Sequence, residues 1–207
     1  METILEAPNY SFVGGNLSID FTNTVNGRWS GEIQDKFSSY RDLVAWGRQA
    51  KVLGDKEEEK LLEKAARRPG EAAKALEESI ELREVIYRIF LAVAGERTPA
   101  KADMDRFNQK LAAAMTHARI ESTQGEFAWV WEESDALDRV TWPVVRAAAD
   151  LLASHNLERV KTCGSDDCGW LFVDTSRNGS RRWCDMSDCG NRAKARRHYH
   201  RVKAGSR

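Results

Sequence analysis

The sequence of 207 residues predicts an α+β fold: a mostly helical N-terminal domain with a small antiparallel sheet, followed by a small cysteine-rich module. Three observations support this prediction. Apolar residues recur at helical spacing through most of the first 157 residues. Two alternating segments flank a glycine-containing turn within residues 118–132, which is typical of a hairpin. All four cysteines lie among the last 45 residues.

The first element is predicted over residues 17–25 and fits two patterns. Leu17, Ile19 and Phe21 alternate as in a strand. Leu17, Phe21 and Val25 instead follow helical spacing, and we favour the helix.

Five more helices are predicted in the N-terminal domain. In chain order they cover residues 39–53, 56–68, 71–94, a segment starting at 99, and 134–155. Asp55 is expected to cap the 56–68 helix, and Pro69 to end it. Thr98 is expected to cap the helix that starts at residue 99, with Pro99 at its first position. Ser134 is expected to begin the last of these helices, at residues 134–155.

One hairpin is predicted in this domain. Residues 118–122 and 126–132 form its strands, joined by a Thr-Gln-Gly turn. Three aromatic side chains share one face of the second strand: Phe127, Trp129 and Trp131. The combination of helices with a small sheet defines the α+β class.

The composition is typical of a soluble globular protein. Hydrophobic residues make up 42% and charged residues 31%, too apolar for disorder and too polar for a membrane protein. No apolar run approaches the roughly 20 residues of a transmembrane helix. The first residues lack a basic start followed by an apolar core, so we expect no signal peptide and a cytoplasmic location.

The net charge of zero hides a division along the chain. Residues 161–207 hold eleven Lys and Arg against five Asp and Glu, so the rest of the chain carries an equal excess of acid. A basic module on an acidic body is typical of proteins that meet a polyanion.

The cysteines predict one structural zinc ion. Cys163, Cys168, Cys184 and Cys189 form two C-x4-C pairs separated by fifteen residues. In a cytosolic protein such pairs are metal ligands more often than disulfides. Four thiolates complete a tetrahedral zinc site and leave no position for a catalytic water. Two disulfides, or a histidine replacing one ligand, are the alternatives.

The residues around the cysteines predict a treble-clef finger. A short strand is expected at residues 170–173 after the first cysteine pair, then a turn at Asn178-Gly179 and a return through residues 181–183. Ser187 and Asp188 are expected to cap a helix that begins near Cys189. A module of this size buries little core, so the metal is expected to supply much of its folding free energy.

The sequence Cys189-Gly190-Asn191-Arg192, preceded by Arg182-Trp183-Cys184, resembles the CGNR zinc finger family. Residues 15–25, Gly-Asn-Leu-Ser-Ile-Asp-Phe-Thr-Asn-Thr-Val, and the helix after them resemble the ABATE domain that precedes such fingers. The resemblance covers the whole chain, as an ABATE-like domain at 1–157 and a finger at 158–207. It implies a stress-linked bacterial transcription regulator whose finger binds DNA, with the four cysteines as zinc ligands, and it also implies ligand binding by the ABATE domain.

The last helix is the predicted nucleic-acid-binding element. Its candidate contacts are Arg192, Lys194, Arg196, Arg197, His200, Arg201 and Lys203. Arginine side chains suit phosphate oxygens and guanine edges. An apolar stripe of Ala195, Tyr199 and Val202 is expected to pack on the finger. RNA as the partner, or a merely solvated basic tail, are the alternatives.

The N-terminal domain is expected to sense a small ligand or a partner, and not to be an enzyme. Polar residues crowd an otherwise apolar segment, which makes Asp20, Asn23, Thr24 and Arg28 candidate ligand contacts. The sequence has no Ser/His/Asp set, no phosphate loop and no G-x-G-x-x-G. An enzymatic N-terminal domain with the finger as a stabilising appendage, or a finger that docks on protein, are the alternatives. Because one finger has a small footprint, a homodimer is a further expectation.

The zinc prediction has a direct test. Cys184→Ala is expected to unfold residues 158–207 and to leave residues 1–157 folded, since the helices of that domain have apolar faces of their own to bury. Hydrogen exchange along the chain measures both parts. A variant that keeps its zinc and its protected amides in the finger would contradict the prediction.

Overall fold

A computed structural model of the protein describes residues 8–123 and 125–205, with the side chains at 123, 200, 204 and 205 left out. The helices α1 to α7 within these residues are, in order, Leu17–Thr22, Tyr40–Gln49, Asp55–Arg67, Pro69–Ala94, Lys101–Met115, Thr141–Leu152 and Asn191–Gly205. The strands β1 to β6 are Val25–Asn26, Gln34–Asp35, Ala118–Thr123, Glu126–Trp131, Val160–Thr162 and Leu171–Val173. The α+β prediction is confirmed. No helix in the described ranges is long and apolar enough to cross a membrane.

The first two helices are confirmed. Asn16 caps α1, because its side chain accepts a hydrogen bond from the Ser18 N–H. Ser39 caps α2 in a capping box with Asp42, in which each side chain accepts a hydrogen bond from the backbone of the other.

The predicted starts of α3 and α5 are wrong. Gly54, not Asp55, is the residue before α3, and its N–H is bound by the Glu57 carboxylate. Ala100 precedes α5, so neither Thr98 nor Pro99 belongs to that helix. Neither Gly54 nor Ala100 provides a side-chain cap, so a capping residue in the sequence does not mark where these helices begin.

Two prolines lie in the first turns of helices, and α3 ends at Arg67, just before Pro69, as predicted. Pro69 is the first residue of α4, where its fixed φ suits the helix and its missing N–H removes no hydrogen bond. Only Arg68 separates α3 from α4. Ser134 instead accepts a hydrogen bond from the Ala136 N–H in a turn, and α6 begins at Thr141 with Pro143 in its first turn.

The predicted hairpin is confirmed as β3–β4, an antiparallel pair with Ile120 opposite Trp129. Gln124 of its turn lies outside the described residues. The aromatic side chains on one face of β4 differ in burial. Trp131 packs against Trp142, with ring centroids 6.1 Å apart, whereas Phe127 is 78% exposed.

The pairing within the finger differs from the prediction. Strand β6 pairs antiparallel with β5, placing Thr162 opposite Leu171. The returning residues 181–183 form no strand with it. The turn around Gly179 therefore returns the chain to the second cysteine pair without extending the sheet.

The main core is built around α4. Its buried face includes Leu82, Ile86, Ile89 and Phe90, against which α1, α2, α3 and α5 pack. The same core contains three residues of β5 and β6: Val160, Leu171 and Val173. The finger is thus seated on the N-terminal domain through shared apolar side chains, which stabilise both parts.

Directional hydrogen bonds reinforce this junction. The Asn23 amide donates to the Leu171 carbonyl at 2.9 Å and accepts from the Leu171 N–H at 3.1 Å. The Val173 N–H donates to the Gly14 carbonyl at 2.7 Å. Tyr87 on α4 donates its hydroxyl to the Gly169 carbonyl at 2.9 Å.

The shared core revises the expected outcome of Cys184→Ala. Loss of the metal removes support from β6, and β6 contacts α1 directly. We now expect reduced amide protection in α1 as well as in the finger, instead of an untouched N-terminal domain.

The junction predicts the effect of Asn23→Leu. Leucine has a similar volume but leaves a buried N–H and a buried C=O of Leu171 without partners. We expect a loss of about 2–4 kcal/mol in the free energy of unfolding, measured with urea. Asn178→Leu, at an exposed turn, is the control. Equal stability of the two variants would show that the amide contributes nothing at the junction.

Candidate metal centre and nucleic-acid interface

The four cysteines converge on one point. Their sulfur atoms all lie within 4.8 Å of one another, and all four residues are buried. The Sγ atom of Cys184 is 3.7 Å from those of Cys168 and Cys189. A zinc ion with Zn–S bonds of about 2.3 Å requires sulfur atoms about 3.8 Å apart in a tetrahedron. The cysteines are therefore positioned to hold one zinc ion, as predicted.

The surroundings of the sulfur atoms favour a bound cation. Hydrogen bonding to the Cys163 and Cys168 sulfurs, together with burial, raises the pKa of the Cys184 thiol. Four thiolates therefore coexist here only when a cation balances their charge. Two N–H donors also point at sulfur: Arg192 to Cys189 at 3.1 Å, and the Cys184 backbone to Cys163 at 3.4 Å.

The metal site is closed and has an apolar shell. Phe172 is fully buried against the cysteines, and Trp170 and Trp183 pack beside them. With four sulfur ligands and no open position, zinc at this site stabilises the fold and activates no water.

The second cysteine pair lies in a turn that leads into α7. Asp185 caps this π-helical turn, Met186–Gly190, by accepting from the Ser187 N–H at 2.7 Å. The predicted caps, Ser187 and Asp188, are therefore wrong. Cys189 lies in this turn, two residues before the start of α7, so a metal held by Cys189 fixes where this helix begins.

Two of the predicted nucleic-acid contacts bind the finger itself. Arg192 lies 3.3 Å from an Asp167 carboxylate oxygen and 3.1 Å from one of Asp188. Arg196 donates to the Ser165 hydroxyl at 3.0 Å and lies 3.6 Å from the same Asp167 oxygen. Both arginines anchor the first turns of α7 to the loop between Cys163 and Cys168.

The remaining basic residues of α7 form no ion pair with the finger among the described residues. Lys194, Arg197, Arg201 and Lys203 are exposed, and none has a carboxylate partner among the described residues. His200 lies on the same helix, with its side chain outside the described part of the structure. The interface prediction thus separates into two anchoring arginines and four solvent-facing cations.

The apolar stripe of α7 does not pack as predicted. Tyr199 is 62% exposed and Val202 is 55% exposed, and Ala195 is exposed too. The anchoring contacts of α7 described above, those of Arg192 and Arg196, are polar.

The four candidate ligand residues all have partners within the chain. Asn23 binds Leu171, as described above. The Thr24 hydroxyl donates to the Phe21 carbonyl and accepts from Arg83. Arg28 binds both carboxylate oxygens of Glu84, at 2.8 and 3.0 Å, and stacks 3.8 Å from the centre of the Tyr87 ring. These contacts leave one buried polar atom of the set, the Arg28 Nε, without a hydrogen-bond partner among the described residues. A role in ligand binding stays a prediction.

Asp20 is the one candidate with a strongly displaced protonation equilibrium. Asp20 is 7% exposed, and its carboxylate accepts a hydrogen bond from the Gly14 N–H at 2.7 Å. Burial raises the pKa of Asp20 to about 6, although the Gly14 hydrogen bond and the Arg181 charge oppose the change.

Sequence reasoning missed two residues of this site. Asp167 holds both anchoring arginines, and Gly169 packs so tightly on Arg28 that a Cβ there would lie 2.7 Å from the Arg28 Cβ. The Asp166-Asp167 pair inside an otherwise basic module was the available signal for the first. Gly169 has φ of +73°, a conformation that favours glycine.

Comparison with known families agrees with this organisation. Residues 15–155 match the ABATE model, described as "Putative stress-induced transcription regulator". This chain belongs to the ABATE family. Residues 159–202 match the CGNR zinc finger, so the ABATE domain precedes the finger as expected. A search of curated proteins finds no match.

The buried Asp20 of the ABATE domain predicts a pH dependence. Its folded-state pKa is about 6 against an ordinary 3.8, so the folded protein binds the proton more tightly. The stability that it contributes is complete below pH 4 and is lost as pH rises through 6. Relative to Asp20→Asn, the wild type is expected to lose about 2 kcal/mol of unfolding free energy between pH 4 and 7.

Urea unfolding of both proteins at matched pH and zinc concentration measures this difference, since acid weakens zinc binding in both alike. Asp150→Asn, at an exposed position, is the control and should show no such trend. A pH-independent difference between wild type and Asp20→Asn would rule out the displaced protonation.

Proposed function

We propose that this protein is a DNA-binding transcription regulator, in which the zinc finger and α7 bind DNA and the ABATE domain senses a small ligand or a partner. One observation carries the proposal. Arg192 and Arg196 are bound to the finger, whereas Lys194, Arg197, Arg201 and Lys203 face solvent without carboxylate partners among the described residues.

Charge supports the assignment of the partner. Residues 191–205 contain six Lys and Arg and no acid. Zinc with four thiolates adds a charge of about −2, but it lies buried at the base of the helix. The outer face of α7 therefore remains cationic, as required of a helix that lies in a DNA groove and contacts phosphates.

The proposed sensing role rests on the junction. A cavity lies between the β1–β2 loop and the metal site, lined by Gly27, Glu32, Trp170 and Arg192 among others. A ligand bound there would contact both the ABATE domain and an anchoring arginine of α7. Such a position suits a domain whose ligand changes the presentation of the helix.

Catalysis is not part of the proposal. The metal site is closed, and the family matches describe a regulatory zinc-finger protein. One finger covers few base pairs, so we propose that tight binding to a specific site involves two copies. A DNA partner is also consistent with the expected cytoplasmic location.

The test is duplex-DNA binding by the zinc-loaded protein across a salt series. Four phosphate contacts predict that log affinity falls with log salt at a slope of about −4. The triple variant Lys194→Ala, Arg197→Ala, Arg201→Ala is expected to reduce the slope to about −1, and chelation of zinc to abolish binding. Arg192→Ala is unsuitable here because Arg192 anchors the helix.

A charge-matched control separates local contacts from net charge. Arg41→Ala, Lys56→Ala, Lys74→Ala removes three exposed cations from the ABATE domain and should leave the slope unchanged. Absence of binding at low salt, with zinc present, would refute the proposal. Tighter binding of an RNA duplex of the same sequence would refute the choice of DNA.

A further inference from the structure

An open groove runs along the finger between α7 and the segment that precedes Cys184. We call it the finger groove. Its lining includes Gly164, Arg182, Trp183, Ala193, Arg196 and Arg197. Three arginines from two separate segments thus face one depression. Arg182 was not among the residues that the sequence marked for nucleic-acid binding.

The side of the groove that carries Arg182 is fixed to the metal site. The Gly164 N–H donates to the Arg182 carbonyl at 2.7 Å, directly after the ligand Cys163. A Cβ at Gly164 would lie 2.9 Å from that carbonyl oxygen, so the close approach requires glycine. Cys184, a further ligand, follows two residues after Arg182.

The opposite side of the groove is fixed by the anchor of α7. Arg196 is held by the Ser165 hydroxyl and by Asp167. Arg197 follows on the helix, and its Nε donates only to the Ala193 carbonyl of its own helix, at 3.4 Å. Both sides of the groove are therefore positioned before any partner arrives, which lowers the entropy lost on binding.

The arginines of the groove differ in whether a nearby carboxylate compensates their charge. Asp167 compensates Arg196, and Asp166 is an exposed carboxylate in the lining. Neither Arg182 nor Arg197 has a carboxylate partner among the described residues. The Arg182 guanidinium lies 5.4 Å from the centre of the Trp183 ring, which supports its plane and leaves its N–H groups available.

We propose that the finger groove binds one backbone phosphate of duplex DNA, with Arg182 and Arg197 contacting its oxygens. Two guanidinium groups without a carboxylate partner among the described residues suit a phosphodiester, which offers two unesterified oxygens. This inference rests on the proposed function and extends the DNA interface from α7 to a segment outside the helix. The phosphate at Arg182 sets the register of the finger along the duplex.

The experiment compares Arg182→Ala, Arg197→Ala and the double variant in the zinc-loaded full-length protein, with duplex DNA across a salt series. Loss of a phosphate contact is expected to reduce the magnitude of the salt slope by about 0.9. Because both arginines hold one phosphate, the double variant should weaken binding by less than the product of the two single effects. The double variant Arg182→Ala, Lys203→Ala should weaken binding by the full product of its two single effects, because these residues contact different phosphates.

Several controls keep the outcome specific to the groove. Arg41→Ala removes an exposed arginine of the ABATE domain and should leave the slope unchanged. Zinc content and the unfolding midpoint must match those of the wild type. Arg182→Gln, which keeps most of the side-chain packing on Trp183, serves as the second variant if alanine destabilises the finger.

The failures of the two proposals are distinguishable. If the wild type binds DNA with a steep salt slope, and folded Arg182→Ala or Arg182→Gln keeps that slope, the finger groove is refuted and the DNA-binding function stands. If the double variant loses as much DNA affinity as the product of the two single losses, Arg182 and Arg197 do not share a phosphate. If the zinc-loaded wild type does not bind DNA, both proposals are refuted.

Discussion

Four sulfur ligands brought within 4.8 Å of one another repel each other as thiolates, and a cation makes their arrangement favourable. The rest of the C-terminal region depends on this compensation of the thiolate charges by a cation. Zinc joins the loop after β5 to the turn before α7, and that turn sets the start and direction of the basic helix. Gly164 and Arg182, hydrogen-bonded to each other next to the ligands Cys163 and Cys184, form one wall of the finger groove.

The finger and the ABATE domain also share a core. Asn23, Gly14 and Tyr87 supply hydrogen bonds across the junction, and β6 supplies apolar side chains to the main cluster. Small zinc modules commonly obtain most of their stability from the metal. Here β6 contributes side chains to both the main core and the cluster around the cysteines, so we expect each part to depend on the other for some of its stability.

Much of this organisation could be predicted from the sequence, where the signal is local. The cysteine spacing identified the zinc ligands, and hydrophobic periodicity identified α2, α4 and the β3–β4 hairpin. Ser134 and Thr98 misplaced helix starts because the residues that precede α6 and α5, Val140 and Ala100, provide no side-chain cap that a sequence could show. Asp167 and Asn23 were beyond local reasoning: their partners are 25 and 148 residues away, and no pattern along the chain records which carboxylate meets which arginine.

The distance in sequence between Asn23 and Leu171 also has a consequence for synthesis of the chain. Residues near the N-terminus are made first, yet their hydrogen-bond partners in β6 emerge about 150 residues later. Closing so long a loop is entropically unfavourable and slow, and contacts of this kind reduce folding rates. The helices of the ABATE domain can form on the ribosome, but its core is completed only after residue 173 has left the exit tunnel.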